Sequence, residues 1–190
     1  GHPLTRYKKE LKSYSTVNTV SIAKRRDTEE VIIGGLVNKL KYTQTKKNNE
    51  KMAIVTLEDL MGSVDLLVFP RAFKECGHHL VKDAILFFRG NVDKKEQAPK
   101  LLVNEITPLV DAHKKFTKSI HVRLITNGGG EDEKMKKLQQ ILSQHPGKTP
   151  VYLEFLDQNN ARAQMLVDKS LYVLPNEDLV ASLQEALGEE

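Results

Sequence analysis

The sequence predicts a mixed β and α/β chain: a five-stranded barrel followed by a small α/β unit. Three observations carry that expectation. Five strand-like stretches lie between residues 31 and 107, the second and third with apolar residues at period two, and a proline-led helical stretch follows the third of them. From residue 116 onward, strand-like alternation gives way to helical spacing and then returns.

Residues 31–41 make the first strand, with β-branched and aliphatic side chains interrupted by Gly34 and Gly35. A glycine pair inside a strand marks a bulge or a sharp bend, and closing a barrel requires such a bend. In residues 51–57, Ala53, Val55 and Leu57 alternate with Met52, Ile54 and Thr56. In residues 63–69, Val64, Leu66 and Val68 alternate with Asp65, Leu67 and Phe69. Glu58, Asp59, Leu60, Met61 and Gly62 between these runs suit a hairpin. Pro70 ends the third strand and opens a helix through residue 75, because proline fits a first helical turn but cannot donate to a ladder. Residues 84–92 and 100–107 supply strands four and five, with Phe88 expected inside and Phe69 and Phe87 outside. Five strands with a helix after the third is the order of an OB-fold barrel.

Ahead of the barrel, Leu4, Tyr7 and Leu11 share one face of a short helix, and that stripe needs a partner. Residues 13–30 are polar, include Lys24, Arg25 and Arg26, show no periodicity, and read as a connecting segment. Behind the barrel, Ile120, Val122 and Leu124 read as a strand. Met135, Leu138, Ile141 and Leu142 form a helical stripe that His145, Pro146 and Gly147 stop. Val151, Leu153 and Phe155 alternate again, residues 157–160 read as a hairpin turn, 161–167 as its return strand, and 170–174 as a further short strand. After Pro175, Asn176 suits an N-cap, Leu179, Val180, Leu183 and Leu187 make an apolar side, and Gly188 ends the helix. The expected organisation is a lead-in over residues 1–28, the barrel over 29–109, a linker over 110–115 and the α/β unit over 116–190.

Charge is graded along the chain. Lys and Arg number 7 against 2 Asp and Glu in residues 1–28, 12 against 11 in 29–109, and 10 against 12 in 110–190. Residues 170–190 contain no Lys or Arg. That gradient admits different partners at the two ends. No apolar run approaches the ~20 residues of a membrane span, and the single cysteine, Cys76, cannot form an internal disulfide. The expected setting is cytoplasmic, with no membrane partner. The chain opens without methionine, as an excerpt of a longer protein would.

Chemistry is sparse. Cys76, His78 and His79 lack a second Cys/His cluster to complete a zinc site, so no metal or other cofactor is expected. Asn127, Gly128, Gly129 and Gly130 precede a helix whose first turn holds Glu131, Asp132 and Glu133, which would repel phosphate. No pair of carboxylates on a strand and no nucleophile with a base can be assembled, so no catalytic residue is assigned. The loops are more informative. The one between strands one and two carries Lys46 and Lys47 with Lys51 just beyond it; the one between strands four and five carries Lys94 and Lys95 with Lys100 just beyond. In an OB-fold these loops flank the face that binds oligonucleotides. Their lysines are therefore the DNA-contact candidates, with Phe69 as the candidate for base stacking. Acid segregated at the C-terminus makes Glu185, Glu189 and Glu190 the candidates for contact with a protein partner.

Gly1-His2-Pro3-Leu4, the strand Val31-Ile32-Ile33-Gly34-Gly35-Leu36-Val37, the run Val55-Thr56-Leu57-Glu58-Asp59, residues 62–69 and the terminal α/β unit occur in an order that resembles the C-terminal portion of the bacterial replicative DNA polymerase III alpha subunit of the DnaE type. The likeness covers essentially the whole chain. It implies an OB domain that contacts single-stranded template DNA and a terminal domain that docks the tau subunit of the clamp loader. It also implies upstream polymerase domains of the same chain that carry the catalytic aspartates. Strands two and three here present few aromatics, which argues against sequence-specific base recognition. Two alternatives stand beside this reading: an anticodon-binding barrel of an aminoacyl-tRNA synthetase, and a purely structural or protein-binding barrel whose lysines only solubilise it.

Overall fold

The computed structural model describes residues 1–126 and 130–188. The chain forms two compact units, Gly1–Ala112 and His113–Glu190. The first contains helix α1 (Lys8–Tyr14), strands β1 (Glu30–Gln44), β2 (Lys51–Glu58) and β3 (Ser63–Val68), helix α2 (Pro70–Cys76), and strands β4 (Ile85–Asp93) and β5 (Lys100–Pro108). The strands close into a barrel in the order β1-β2-β3-β5-β4, with β4 returning to β1. Only β3 and β5 run parallel.

Closure depends on the long first strand, which continues to Gln44 rather than stopping at residue 41. Its first half pairs with β4 as far as Leu36, opposite Ile85, and its second half pairs with β2 from Leu36 onward. The glycine pair sits at this change of partner. A Cβ on Gly35 would lie 2.5 Å from the Glu58 carbonyl oxygen, so the two backbones cross closely there. The register shifts themselves lie elsewhere, between Val37 and Lys39 and between Arg89 and Gly90. Inside, Val55, Leu57, Leu66, Leu86, Phe88 and Leu101 form the centre of one apolar core. The β2–β3 turn is held by Asp59, whose buried carboxylate accepts from Thr19 N–H (2.7 Å) and Oγ1–H (2.6 Å), Met61 N–H (2.8 Å) and Gly62 N–H (3.0 Å).

The lead-in is built onto the barrel. His2 Nδ1 accepts from Leu4 N–H at 3.1 Å, which leaves Nε2 to donate to Glu58 Oε1 at 2.6 Å. Leu4 is fully buried. Helix α1 lies over the outer side of β1, where Gly34 is paired with Phe87. A Cβ on Gly34 would lie 2.6 Å from the Phe87 ring and 2.9 Å from Leu11, so glycine makes the seat for both side chains. Tyr14 meets the Phe87 ring edge-on at 5.8 Å. Phe87 therefore points out of the barrel as expected but is covered, only 1% exposed. Residues 13–30 are likewise not a free connection. Val17 and Ile22 join the barrel core, and Thr16 N–H donates to the Ile32 carbonyl at 2.8 Å. Two apolar anchors 5 residues apart leave no periodic trace in so polar a segment.

The residues expected to link the units, 110–115, lie within a helix, α3 (Leu109–Phe116). The second unit continues with β6 (Ile120–Thr126), α4 (Glu131–Gln144), β7 (Pro146–Thr149), β8 (Val151–Asp157), β9 (Arg162–Leu166) and α5 (Glu177–Leu187). Strands β6, β8 and β9 form one sheet, β6 parallel to β8 with α4 in the connection, and β9 antiparallel at the edge. Leu138 and Leu142 of α4 and Leu179 of α5 pack with Val122, Val151 and Leu153. Of the Asn127–Gly130 stretch that precedes α4, residues 127–129 lie outside the described residues, and Gly130 is the helix's N-cap. Residues 170–174 do not form a strand. A 3-10 turn occupies Lys169–Leu171, and Val173 makes only isolated bridges to Pro146 and Thr149. Asn176 caps α5 as expected, its Oδ1 accepting from Leu179 N–H at 2.7 Å.

Candidate nucleic-acid interface

Side chains directly opposite each other on paired strands share a face. Outside the barrel this rule produces two rows across β1, β2, β3 and β5: Lys39, Thr56, Asp65 and Lys100, then Lys41, Ile54, Leu67 and Leu102. A third row begins with Thr43 and Met52. The face is thus an aliphatic strip of half-buried Ile54, Leu67 and Leu102, with the buried Met52 beneath its loop end and lysines at both sides. Lys39 and Lys41 are not among the candidates that loop position suggests. Both lie within the expected first strand, but plain alternation from the inward Val31, Ile33 and Val37 would turn them into the barrel; the register shift after Val37 turns them outward, in line with β2 and β3.

The β1–β2 loop is a tight one. Thr45 N–H donates to the Glu50 carbonyl at 2.9 Å and Asn49 N–H to the Thr45 carbonyl at 3.0 Å. That closure leaves Lys46 and Lys47 exposed at the tip, with Lys51 exposed at the start of β2. Among the described residues their ammonium groups have no hydrogen-bond or ion-pair partner. Glu50 of the same loop is 3.4 Å from the Lys74 ammonium of α2, which moderates one acidic charge beside them.

The β4–β5 loop is different. Lys94 Nζ donates to the carbonyls of Ala23 and Arg25, both at 2.9 Å, and its N–H donates to Asp27 Oδ1 at 3.0 Å. It fastens the lead-in to the barrel instead of standing free over the face. Lys100 Nζ lies 2.8 Å from Glu96 Oε2, and that hydrogen bond raises the lysine above its ordinary pKa. Its charge is already matched. Lys95 is exposed, with only its backbone N–H tied, to Asp93 Oδ1 at 3.0 Å. At the centre of the face Asp65 accepts from Thr56 Oγ1–H at 3.0 Å and brings a charge that opposes phosphate. The electrostatic bias of the site therefore comes from the β1 strand and its loop.

Phe69 follows β3, occupies the N-cap of α2, and is 42% exposed. Tyr42, at the loop end of β1, is a second exposed aromatic, edge-on to Phe73 of α2 at 5.9 Å. Sequence alternation does not single it out, because it lies past the end expected for strand one. In the terminal unit Glu185 is exposed on α5, and Glu189 and Glu190 lie outside the described residues. Cys76 is buried with Sγ–H donating to the Ala72 carbonyl, and the His78 and His79 rings lie 4.0 Å apart. Burial and the neighbouring His78 lower the His79 pKa, against the opposing pull of Asp111. Among the described residues no group of three or more His, Cys, Asp or Glu could hold a metal ion, and no helix is long and apolar enough to cross a membrane.

Comparison with known proteins follows the same division of the chain. Residues 31–109 match the family described as OB-fold nucleic acid binding domain, and residues 137–188 match DNA polymerase III subunit alpha, C-terminal domain. Curated relatives include the DNA polymerase III alpha subunits of Borreliella burgdorferi, 24% identical over 98% of the chain, Bacillus subtilis, 26% identical over 100%, and Escherichia coli O157:H7, 29% identical over 100%. The chain spans 16% of the length of each of these relatives. An anticodon-binding barrel would account for the first match and leave the second unexplained. A match to a nucleic-acid-type OB barrel followed by a match to the polymerase's C-terminal domain, in this order and with relatives aligned along the full chain, makes it similar to the C-terminal regions of bacterial DNA polymerase III alpha subunits.

Proposed function

We propose that the barrel contacts single-stranded template DNA without reading its sequence, as a non-catalytic part of a cytoplasmic replicative polymerase whose chemistry resides in other domains of the same chain. The observation that carries this reading is the set Lys39, Lys41, Lys46, Lys47 and Lys51, without ammonium partners among the described residues, along one side of an aliphatic face with few aromatics. Such a face tracks phosphates and tolerates any base. Titration with oligo(dT) at several salt concentrations tests it. Exchange of both Lys46 and Lys47 for Glu is expected to weaken binding and to flatten the dependence of log affinity on log salt by about 0.7 for each phosphate no longer neutralised. Unchanged affinity and slope would favour a structural barrel.

The terminal unit docks the clamp-loader tau subunit in this reading. Support comes from the family match of residues 137–188 and from the absence of Lys and Arg after Lys169, which disfavours a nucleic-acid ligand there. Leu179 is committed to the unit's own core, so the exposed acid of α5 is what remains for contact. Exchange of Glu185, Glu189 and Glu190 for Lys is expected to reduce tau affinity, measured by calorimetry, at an unchanged melting temperature. Full binding by that folded variant would refute the acidic contact.

A further inference from the structure

A groove of about 330 Å³ lies on the barrel unit between α1, the segment from Ser15 to Ser21, and the β2–β3 turn. Its size is at the lower end of what a bound ligand occupies. Leu11 and Val17 contribute to its lining, together with Leu60 and Met61 at the tip of the turn. Leu60 is 40% and Met61 63% exposed. Large aliphatic side chains at a loop tip are ordinarily free to move, but here the backbone beneath them is immobilised by the four hydrogen bonds to the Asp59 carboxylate. Two of those donors, Thr19 N–H and Oγ1–H, belong to a segment 40 residues away in sequence. The turn is thereby held in one presentation, so a ligand would not have to meet the cost of ordering it.

On the α1 side the rim carries Lys8 and Lys12, one helical turn apart and both exposed. Among the described residues neither ammonium has a hydrogen-bond or ion-pair partner. The one acid in the lining, Asp59, is buried and already accepts four hydrogen bonds. Positive charge beside an apolar floor selects a ligand that is both acidic and aliphatic. The lining contains no aromatic ring on which a base could stack, which argues against nucleic acid. A methionine at the rim suits irregular aliphatic contacts.

We infer that this groove docks a short segment of a partner protein carrying one or two large aliphatic side chains flanked by carboxylates. The aliphatic groups settle against Leu11, Leu60 and Met61, and the carboxylates face Lys8 and Lys12. The site is separate from the β1–β2–β3 face, so it stands or falls independently of DNA binding.

The test uses the 190-residue chain with methyl-labelled methionine, Met61 being assigned by its loss in Met61→Glu. The probe is a capped hexapeptide of alternating aspartate and leucine, with a lysine and leucine counterpart and oligo(dT) as comparisons. The acidic peptide is expected to shift the Met61 methyl and the Lys8, Lys12 and Leu60 amides saturably, at millimolar concentration or below. The basic peptide should not. Lys8→Glu with Lys12→Glu should weaken the acidic peptide about tenfold, as loss and reversal of two rim charges implies. Met61→Glu, at an exposed position, should abolish binding with an unchanged melting temperature. Absence of any shift overturns the proposal. So does a shift produced by oligo(dT) and not by the acidic peptide, which would make the groove a nucleic-acid contact. A shift that depends on protein concentration alone would make it a contact between copies and would also overturn it.

Discussion

Phe87→Ala is expected to destabilise the barrel unit by about 3–5 kcal/mol, the usual cost of deleting a buried phenylalanine ring, while leaving its affinity for oligo(dT) unchanged. The ring lies outside the barrel wall, but the surface it faces is not solvent. Gly34 beneath it, Leu11 beside it and Tyr14 edge-on to it enclose the side chain. Removing it leaves a cavity between α1 and β1 that close-packed neighbours fill only in part. Phe69→Ala should do the reverse. Its 42% exposure predicts a stability change within about 0.5 kcal/mol, and stacking on a base predicts a loss of about 1–3 kcal/mol in DNA binding. Denaturant unfolding and oligo(dT) titration on the same two variants separate these outcomes. A Phe87 variant that stays stable but loses DNA would show that the α1 side of the barrel, not the β1–β2–β3 face, holds the strand.

Ile22→Ala should cost about 2–5 kcal/mol, although it lies in a segment with no apolar periodicity, just ahead of Lys24, Arg25 and Arg26. Ile22 is fully buried in the barrel core, carried there by a 3-10 turn over Ser21–Lys24. That turn is tethered by Ser21 N–H to Asn18 Oδ1 at 2.8 Å and by the Lys94 ammonium on the Ala23 carbonyl. Val20→Ala, two residues earlier and half-exposed, is the comparison and should be close to neutral. Because the chain has two units, unfolding followed by one global signal can mix their transitions. Hydrogen exchange of β1 and β4 amides reports on the barrel alone. Equal protection in the Ile22 and Val20 variants would mean that the lead-in contributes nothing to the barrel.

Most of the fold was legible because strand and helix periodicities are local. The alternation of Val55, Leu57, Val64 and Leu66, the Asp59 to Gly62 turn, the proline that opens α2 and the Asn176 cap are each decided within a few residues of chain, where backbone geometry dictates which side chains share a side. The same patterns reach only as far as the sheet. They assign Phe69 and Phe87 to the outside of the barrel and contain nothing that says α1 arrives over one of them and not the other.

Loop position, too, was a sound guide to where lysines lie and a poor one to what they do. Lys46 and Lys47 have no ammonium partner among the described residues, because their loop closes on its own backbone. Lys94 does have partners, because its ammonium meets carbonyls 69 and 71 residues away in sequence. Lys39 and Lys41 belong to the candidate face only through a strand register that a bulge displaces.

By itself, then, the sequence determined the five-stranded barrel with its inserted helix, the small α/β unit after it, the graded charge and the family that these parts resemble. Tertiary structure alone decided that Ile22 and Val17 complete the core, that Phe87 is packed and Phe69 is not, and which lysines retain an unmatched charge. The physical reason is that periodicity, capping and turn chemistry are settled between neighbours along the chain. Burial and charge pairing are instead settled by whichever distant segments fold against a residue, and no local pattern encodes their arrival.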